Sequence, residues 1–202
     1  MNCRPLWVGD RDPLQAPGQA LKIYLVRHGQ AEHSWQVADN PGLSERGHQQ
    51  ALATAQQLAL IIEPGVQLIS SPMVRARETA QPLAQALGRP VSIIEAFREI
   101  PTPVALDERP GWLKSISRQT WSEQEEMVRA WHQALLQELQ QIRQPAVVFT
   151  HFMVLNAIVG ALTGDDRVVC FLPDNASVTT VQWTEQTLQL VELGQQLKTV
   201  VH

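Results

Sequence analysis

Lys22-Ile23-Tyr24-Leu25-Val26-Arg27-His28-Gly29-Gln30-Ala31-Glu32 is the stretch from which the rest of the chain can be read. Ile23 to Val26 form an apolar run of the kind a buried strand requires, and it hands Arg27, His28, Gly29 and Gln30 straight to a turn. In an α/β domain the carboxyl ends of strands open onto the ligand crevice, so these residues are site candidates by position. Imidazole can accept a phosphoryl group covalently, and a neighbouring guanidinium can clamp its oxygens with paired hydrogen bonds. One tripeptide recurs by chance. A site of this kind also needs further cations, a group that stabilises the transferring oxygens, and an acid for the leaving oxygen.

Outward from that strand, helical and strand periods alternate. Ser44 is placed to cap a helix carrying His48, Ala51, Ala55, Leu58 and Ile62 at steps of three and four, ended by Pro64 and Gly65. Val66 to Ile69 reads as a short strand. Pro72 then sits where a first helical turn tolerates proline, ahead of Met73, Ala76, Ala80, Leu83 and Leu87, and Gly88 and Pro90 close that helix. Val91 to Ile94 is a third strand. Pro101, Pro103, Pro110 and Gly111 mark an irregular stretch from about 100 to 120, a lid or pocket wall.

Ser122 and Glu125 have capping-box spacing before a helix striped by Val128, Trp131, Leu135, Leu139 and Ile142. Ala146 to Phe149 reads as a buried strand and His151 to Leu162 as a helix. The alternation from Val168 to Leu193 predicts two edge strands joined by Thr184 to Gln186. The pattern predicts an α/β fold, a three-layer α/β/α sandwich with a largely parallel central sheet. Residues 1–20, with Pro5, Pro13 and Pro17 and no sustained period, read as a flexible extension, and 21–202 as a single domain.

A chain of 202 residues with 44% hydrophobic content suffices for one substantial core. Sixteen basic against 20 acidic residues, with no basic run interleaved with aromatics, argue against nucleic acid as a partner. Cys3 and Cys170 make neither a disulfide framework nor a CxxC pair, and the chain lacks a stretch of about 18 apolar residues. The expectation is therefore a cytoplasmic protein with no membrane partner. Its edge strand near the C-terminus offers a surface for pairing between subunits, though nothing in the sequence sets an oligomeric state.

Three later segments supply the missing parts of the site. Ala146 to Phe149 delivers His151, after Thr150, to a second strand end, where it can hydrogen-bond transferring oxygens. Ser71 to Arg77 open a helix N-terminus that favours anions, with Arg75 a second phosphate clamp and Arg77, two residues on, turned to another helix face. Glu99 follows the third strand and is the candidate proton donor, with Asp107 and Glu108 as rivals. Because arginines surround it, that role demands compensating burial or closeness to the phosphoryl anion to keep the carboxyl protonated. Trp112, Trp121, Arg98, Arg109 and Arg118 are candidates for lining a substrate pocket, although Trp121 can equally staple the long helix.

Arg27-His28-Gly29, the segment Ser71 to Ala80, Phe97-Arg98-Glu99 and Thr150-His151 together resemble the histidine phosphatase, or phosphoglycerate mutase-like, superfamily. So do Leu43-Ser44-Glu45-Arg46-Gly47 and Asn175-Ala176-Ser177. The resemblance spans 22 to about 183. It implies a phosphohistidine on His28, phosphate held by Arg27 and Arg75, a pocket completed by His151, an acid at Glu99, and no metal or organic cofactor. It also implies a phosphorylated small molecule or a phosphohistidine protein as partner. Two segments depart from the mutase pattern. Ala31-Glu32-His33-Ser34-Trp35-Gln36 lacks the usual Ser or Thr and Asn, leaving Ser34 or Gln36 as substitutes. Ile100-Pro101-Thr102-Pro103 replaces a Gly-rich, aromatic continuation. The expected activity is hydrolysis of a phosphomonoester or protein phosphohistidine. Mutase-type transfer and a phospho-ligand binding module with a vestigial site are the alternatives.

Overall fold

The computed structural model describes residues 21–33, 40–184 and 186–197, and the extension expected over 1–20 lies outside them. Among the described residues five α-helices and six strands follow in the order β1 (Leu21–Arg27), α1 (Glu45–Ala59), β2 (Gln67–Ser70), α2 (Val74–Leu87), β3 (Val91–Ile93), α3 (Arg109–Ile116), α4 (Glu126–Gln141), β4 (Ala146–Thr150), α5 (Phe152–Thr163), β5 (Val178–Thr184) and β6 (Thr187–Glu192). The strands form one sheet in the order β3-β2-β4-β1-β5-β6. β3, β2, β4 and β1 are mutually parallel, and β5 and β6 add on antiparallel.

Both faces of the sheet are covered, which explains why its central strands read as unbroken apolar runs. On β1, Ile23 and Leu25 point to one face, where they meet Val148 and side chains of α4 and α5 such as Leu135, Leu139 and Leu155. Tyr24 and Val26 point to the other, against Ala55 and Leu58 of α1 and Ala80 and Leu83 of α2. This is a three-layer sandwich. The helices α2 and α5 end on Gly88 and Gly164, both left-handed at φ 62° and 72°, as their sequence positions require.

The structure corrects three expectations. Residues 109–116 inside the irregular stretch form α3, because Pro110 stands in its first turn, where its missing N–H costs nothing. The capping box is Thr120 with Glu123, around a short 3-10 turn, rather than Ser122 with Glu125. Its register is held from outside: Trp121 N donates to the Asp166 carbonyl (2.8 Å) and Val168 N to the Gln119 carbonyl (3.0 Å). Finally, β5 is interior, paired to β1 and β6, and the stretch from Val168 to Ser177 lies outside the named strands. Only β6 of the expected pair is an edge, opposite the three-residue β3.

Sheet order positions the site. The chain runs outward from β1 to β2 and β3, then returns to insert β4 between β2 and β1, so the polypeptide changes direction at the carboxyl ends of β1 and β4. Ligands of open α/β sheets bind at such a switch point. Arg27 is registered with Thr150, and Ser70 with Phe149, which brings three strand ends level.

Candidate active site

His28 follows β1 and is held by its backbone on both sides. Its N–H donates to the Thr150 carbonyl at 2.9 Å, and its own carbonyl accepts from Ala176 N and Asn175 Nδ2, both at 3.2 Å. The ring is buried, and Nδ1 lies 2.7 Å from the Gly29 carbonyl. A carbonyl only accepts, so Nδ1 carries the proton and Nε2 keeps its lone pair. The Arg75 Nε–H donates to that Nε2 at 3.1 Å.

His151 begins α5 and is fully buried, its ring 5.2 Å from that of His28 in an edge-on arrangement. Ser71 Oγ accepts from Met73 N at 3.2 Å and donates its own proton to His151 Nε2 at 2.6 Å, which leaves the ring proton on Nδ1. Arg27 donates from Nη1 to the Pro173 carbonyl at 2.8 Å, and its guanidinium lies over the Phe152 ring. Around His28, Nε of Arg27, both Nη atoms of Arg75 and Nδ1 of His151 are buried and have no hydrogen-bond partner among the described residues. Buried polar atoms normally have partners. Four orphaned nitrogens converging beside one imidazole mark a place built for an anion with several oxygens.

Glu99 is brought to the same place by the segment after β3. Thr150 Oγ1 donates to the Phe97 carbonyl (2.9 Å) and Trp131 Nε1 to the Arg98 carbonyl (3.1 Å), pinning the residues on its N-terminal side. Oε1 of Glu99 accepts from the amides of Ile100 (3.0 Å) and Met153 (3.2 Å). A proton on this carboxyl therefore belongs on Oε2.

Burial dominates the electrostatics. Desolvation, then the charges of Arg75 and Arg27, hold His28 well below its usual value, so the ring is neutral near pH 7. His151 is held well below by the same burial and by His28 and the arginines. For Glu99, desolvation raises the pKa despite opposing contributions from its amide partners, Arg75 and Arg27. The Glu99 side chain is half-buried. The cavity over His28 has a volume of about 760 Å³ and is bounded by Arg27, Arg75, Glu99 and Asn175 among others. A second cavity of about 540 Å³ adjoins it through Arg75 and Glu99 and is lined by Arg98 and Arg109. Among the described residues no three His, Cys, Asp or Glu side chains group as metal ligands.

The sequence matches the model of the histidine phosphatase superfamily (branch 1) over residues 23–196. The chain belongs to this superfamily. A Salmonella arizonae protein named "Probable phosphoglycerate mutase GpmB" is 28% identical over 166 residues, covering 71% of this chain and 75% of its own. Among solved structures, a mycobacterial glucosyl-3-phosphoglycerate phosphatase superposes with a TM-score of 0.68 at 21% identity, covering 87% of this chain and 99% of its own. The phosphoserine phosphatase of Entamoeba histolytica, in complex with 3-phosphoglyceric acid, gives 0.68 at 23%, covering 87% and 97%. These two likenesses establish the histidine phosphatase fold.

Within this histidine phosphatase domain, Arg27, His28, Arg75, Glu99 and His151 come together as the sequence motifs suggested. The remaining candidates are spread out. Arg77 is exposed on the outer face of α2, and Asp107 and Glu108 are exposed in the loop before α3. Trp121 is a core residue stacked on His132 of α4 and lines neither cavity at the site, and Trp112 packs against the same core. Arg118 is exposed and lines neither cavity over the site. Ser34 and Gln36 lie outside the described residues.

Several supports of the site went unread. Thr79 Oγ1 accepts from Gly29 N (3.0 Å) and donates to the Arg75 carbonyl (2.7 Å), tying the His28 loop to α2. Glu78 accepts from Leu43 N at 2.6 Å. Gly29 and Gly47 pack backbone to backbone: a Cβ on Gly29 would lie 2.6 Å from the Gly47 carbonyl oxygen, and one on Gly47 would run into that of Gln30. Ala176 takes the left-handed conformation (φ 57°) in the turn that holds His28. Glu78, Thr79, Gly47 and Ala176 all stand inside the quoted motifs, which was the available signal.

Proposed function

We propose that this protein is a phosphatase that hydrolyses a phosphomonoester through a covalent phosphohistidine on His28. The observation that carries the reading is the neutral imidazole with its lone pair on Nε2, beside buried nitrogens of Arg27, Arg75 and His151 that have no partner among the described residues. A phosphoryl group draws the Arg75 guanidinium onto its oxygens and uncovers Nε2. In the first step the Nε2–P bond forms, the bond from phosphorus to the leaving oxygen breaks, and that oxygen takes the proton from Glu99 Oε2. In the second, the Glu99 carboxylate removes a proton from water as its oxygen attacks phosphorus, and the P–N bond breaks to release phosphate and restore His28. Arg27, Arg75 and the Nδ1–H of His151 donate to the equatorial oxygens, where charge concentrates.

Mutase-type transfer is the second reading, favoured by the mutase-named relatives. The two part at the phosphoenzyme. Rapid acid-avoiding quench with a labelled phosphomonoester panel and a phosphohistidine protein, followed by peptide mapping, should find label on His28 that turns over to inorganic phosphate in water. A phosphoenzyme that persists until a phosphate acceptor is added would establish the mutase; saturable phosphate binding without label or release would leave a binding module.

The acid role of Glu99 sets a pH prediction. kcat/KM requires neutral His28, whose depressed pKa moves the acid limb below the usual imidazole range, and protonated Glu99, whose raised pKa moves the basic limb above the usual carboxyl range. Activity on an alkyl phosphate should therefore fall as pH rises through the Glu99 value. In Glu99→Gln that limb should disappear while the rate drops by roughly 10²- to 10⁴-fold. With a phosphohistidine protein, whose nitrogen leaving group needs less acid, the loss should be small. An unchanged limb in the Gln variant would remove Glu99 from the role.

A further inference from the structure

The cavity that contains His28 has one wall unlike the rest. Much of it is apolar, formed by Leu113 of α3, Phe152 and Met153 of α5, and Val169 and Leu172 from the loop that follows, with Lys114 and Ser117 beside Leu113. Leu113, Phe152 and Val169 are partly buried against the core, while Leu172 remains 36% exposed beside the cavity. This wall starts next to the phosphate position, because the Arg27 guanidinium lies 5.2 Å over the Phe152 ring. Apolar side chains around a few convergent polar groups are the usual make-up of a small-molecule site.

Resting on the phosphatase reading, we propose that the alcohol this site selects is apolar, and that Leu113, Phe152, Met153, Val169 and Leu172 bind it. The leaving group must continue from the phosphorus atom that His28 attacks, and His28 lines this cavity only. The adjoining cationic cavity shares Arg75 and Glu99 but does not reach the nucleophile. Its Arg98 is already paired with Glu95 at 3.5 Å and is more than half exposed, so its charge offers little to a second anionic group of the substrate. A ligand that covers what Leu113, Phe152, Val169 and Leu172 still expose gains from every methylene it places against them.

A homologous series of primary n-alkyl phosphates from ethyl to hexyl tests this, since leaving-group acidity is nearly constant along it. kcat/KM should rise by roughly two- to fourfold per methylene in wild type. In Leu172→Asp the hexyl-to-ethyl ratio should collapse toward one, and Val169→Asp gives an independent check should the first variant fold poorly. A flat or falling series overturns the proposal. So does a preference for chains of equal length ending in carboxylate, whether Lys114 of this cavity or Arg98 and Arg109 of the adjoining one receives it. Silence toward every phosphomonoester, with no label on His28, would instead overturn the phosphatase reading beneath it.

Discussion

His28→Ala should lose phosphate release by on the order of 10⁴-fold or more and form no phosphoenzyme, while keeping its fold and its affinity for inorganic phosphate. The loss is large because the variant removes the atom that forms the new bond, and no neighbour can replace it. His151 is 5.2 Å away ring to ring, and its Nε2 is committed to Ser71 Oγ. The fold should hold, since the backbone bonds of residue 28 are ones Ala retains, the amide to Thr150 and the carbonyl to Ala176 and Asn175, while the lost acceptor of Arg75 Nε lowers the melting temperature. Phosphate release near the wild-type rate, measured beside an unchanged circular dichroism spectrum, would end the covalent mechanism.

How much of this could be read beforehand follows from where the information lies. Strand β1 and the stripes of α1, α2 and α4 were legible because each is a local period matched to a buried face. α3 was hidden by Pro110 and Gly111, which break a helix interior but suit its first turn. The capping box was ambiguous for a different reason: Thr120-Trp121-Ser122-Glu123 and Ser122-Glu123-Gln124-Glu125 satisfy the same pattern two residues apart, and only the bonds of Trp121 and Val168 to distant chain choose between them. In the site, each strand-end residue could be nominated singly. Their convergence needed the pairing of β1 with β4, and of β4 with β2, which no local period encodes. Ser71 and Thr79 were overlooked because a small hydroxyl gains its meaning from its partner, here His151 in one case and Gly29 in the other.

Arg75→Met should separate function from stability within one side chain. Arg75 is 1% exposed, lies near the second cation Arg27, and leaves both Nη atoms unpartnered, while Glu99, the nearby carboxyl, is itself pushed toward its neutral form. A charge held this way costs desolvation that the empty protein does not recover. Methionine keeps much of the volume and removes the charge, so the variant should melt higher by about 2–4 °C for each kcal/mol relieved. The His28 ring, freed of an adjacent positive charge, should also titrate closer to its ordinary range, which NMR of the ring protons can follow. Turnover should move the opposite way, falling by about 10²- to 10³-fold as one clamp on the transferring oxygens disappears. Added phosphate should raise the melting temperature of wild type much more than that of the variant, because binding energy and the relief of buried charge arise from the same contacts. A variant that melts lower with phosphate response intact would mean that Arg75 serves the fold, and that the anion is held elsewhere.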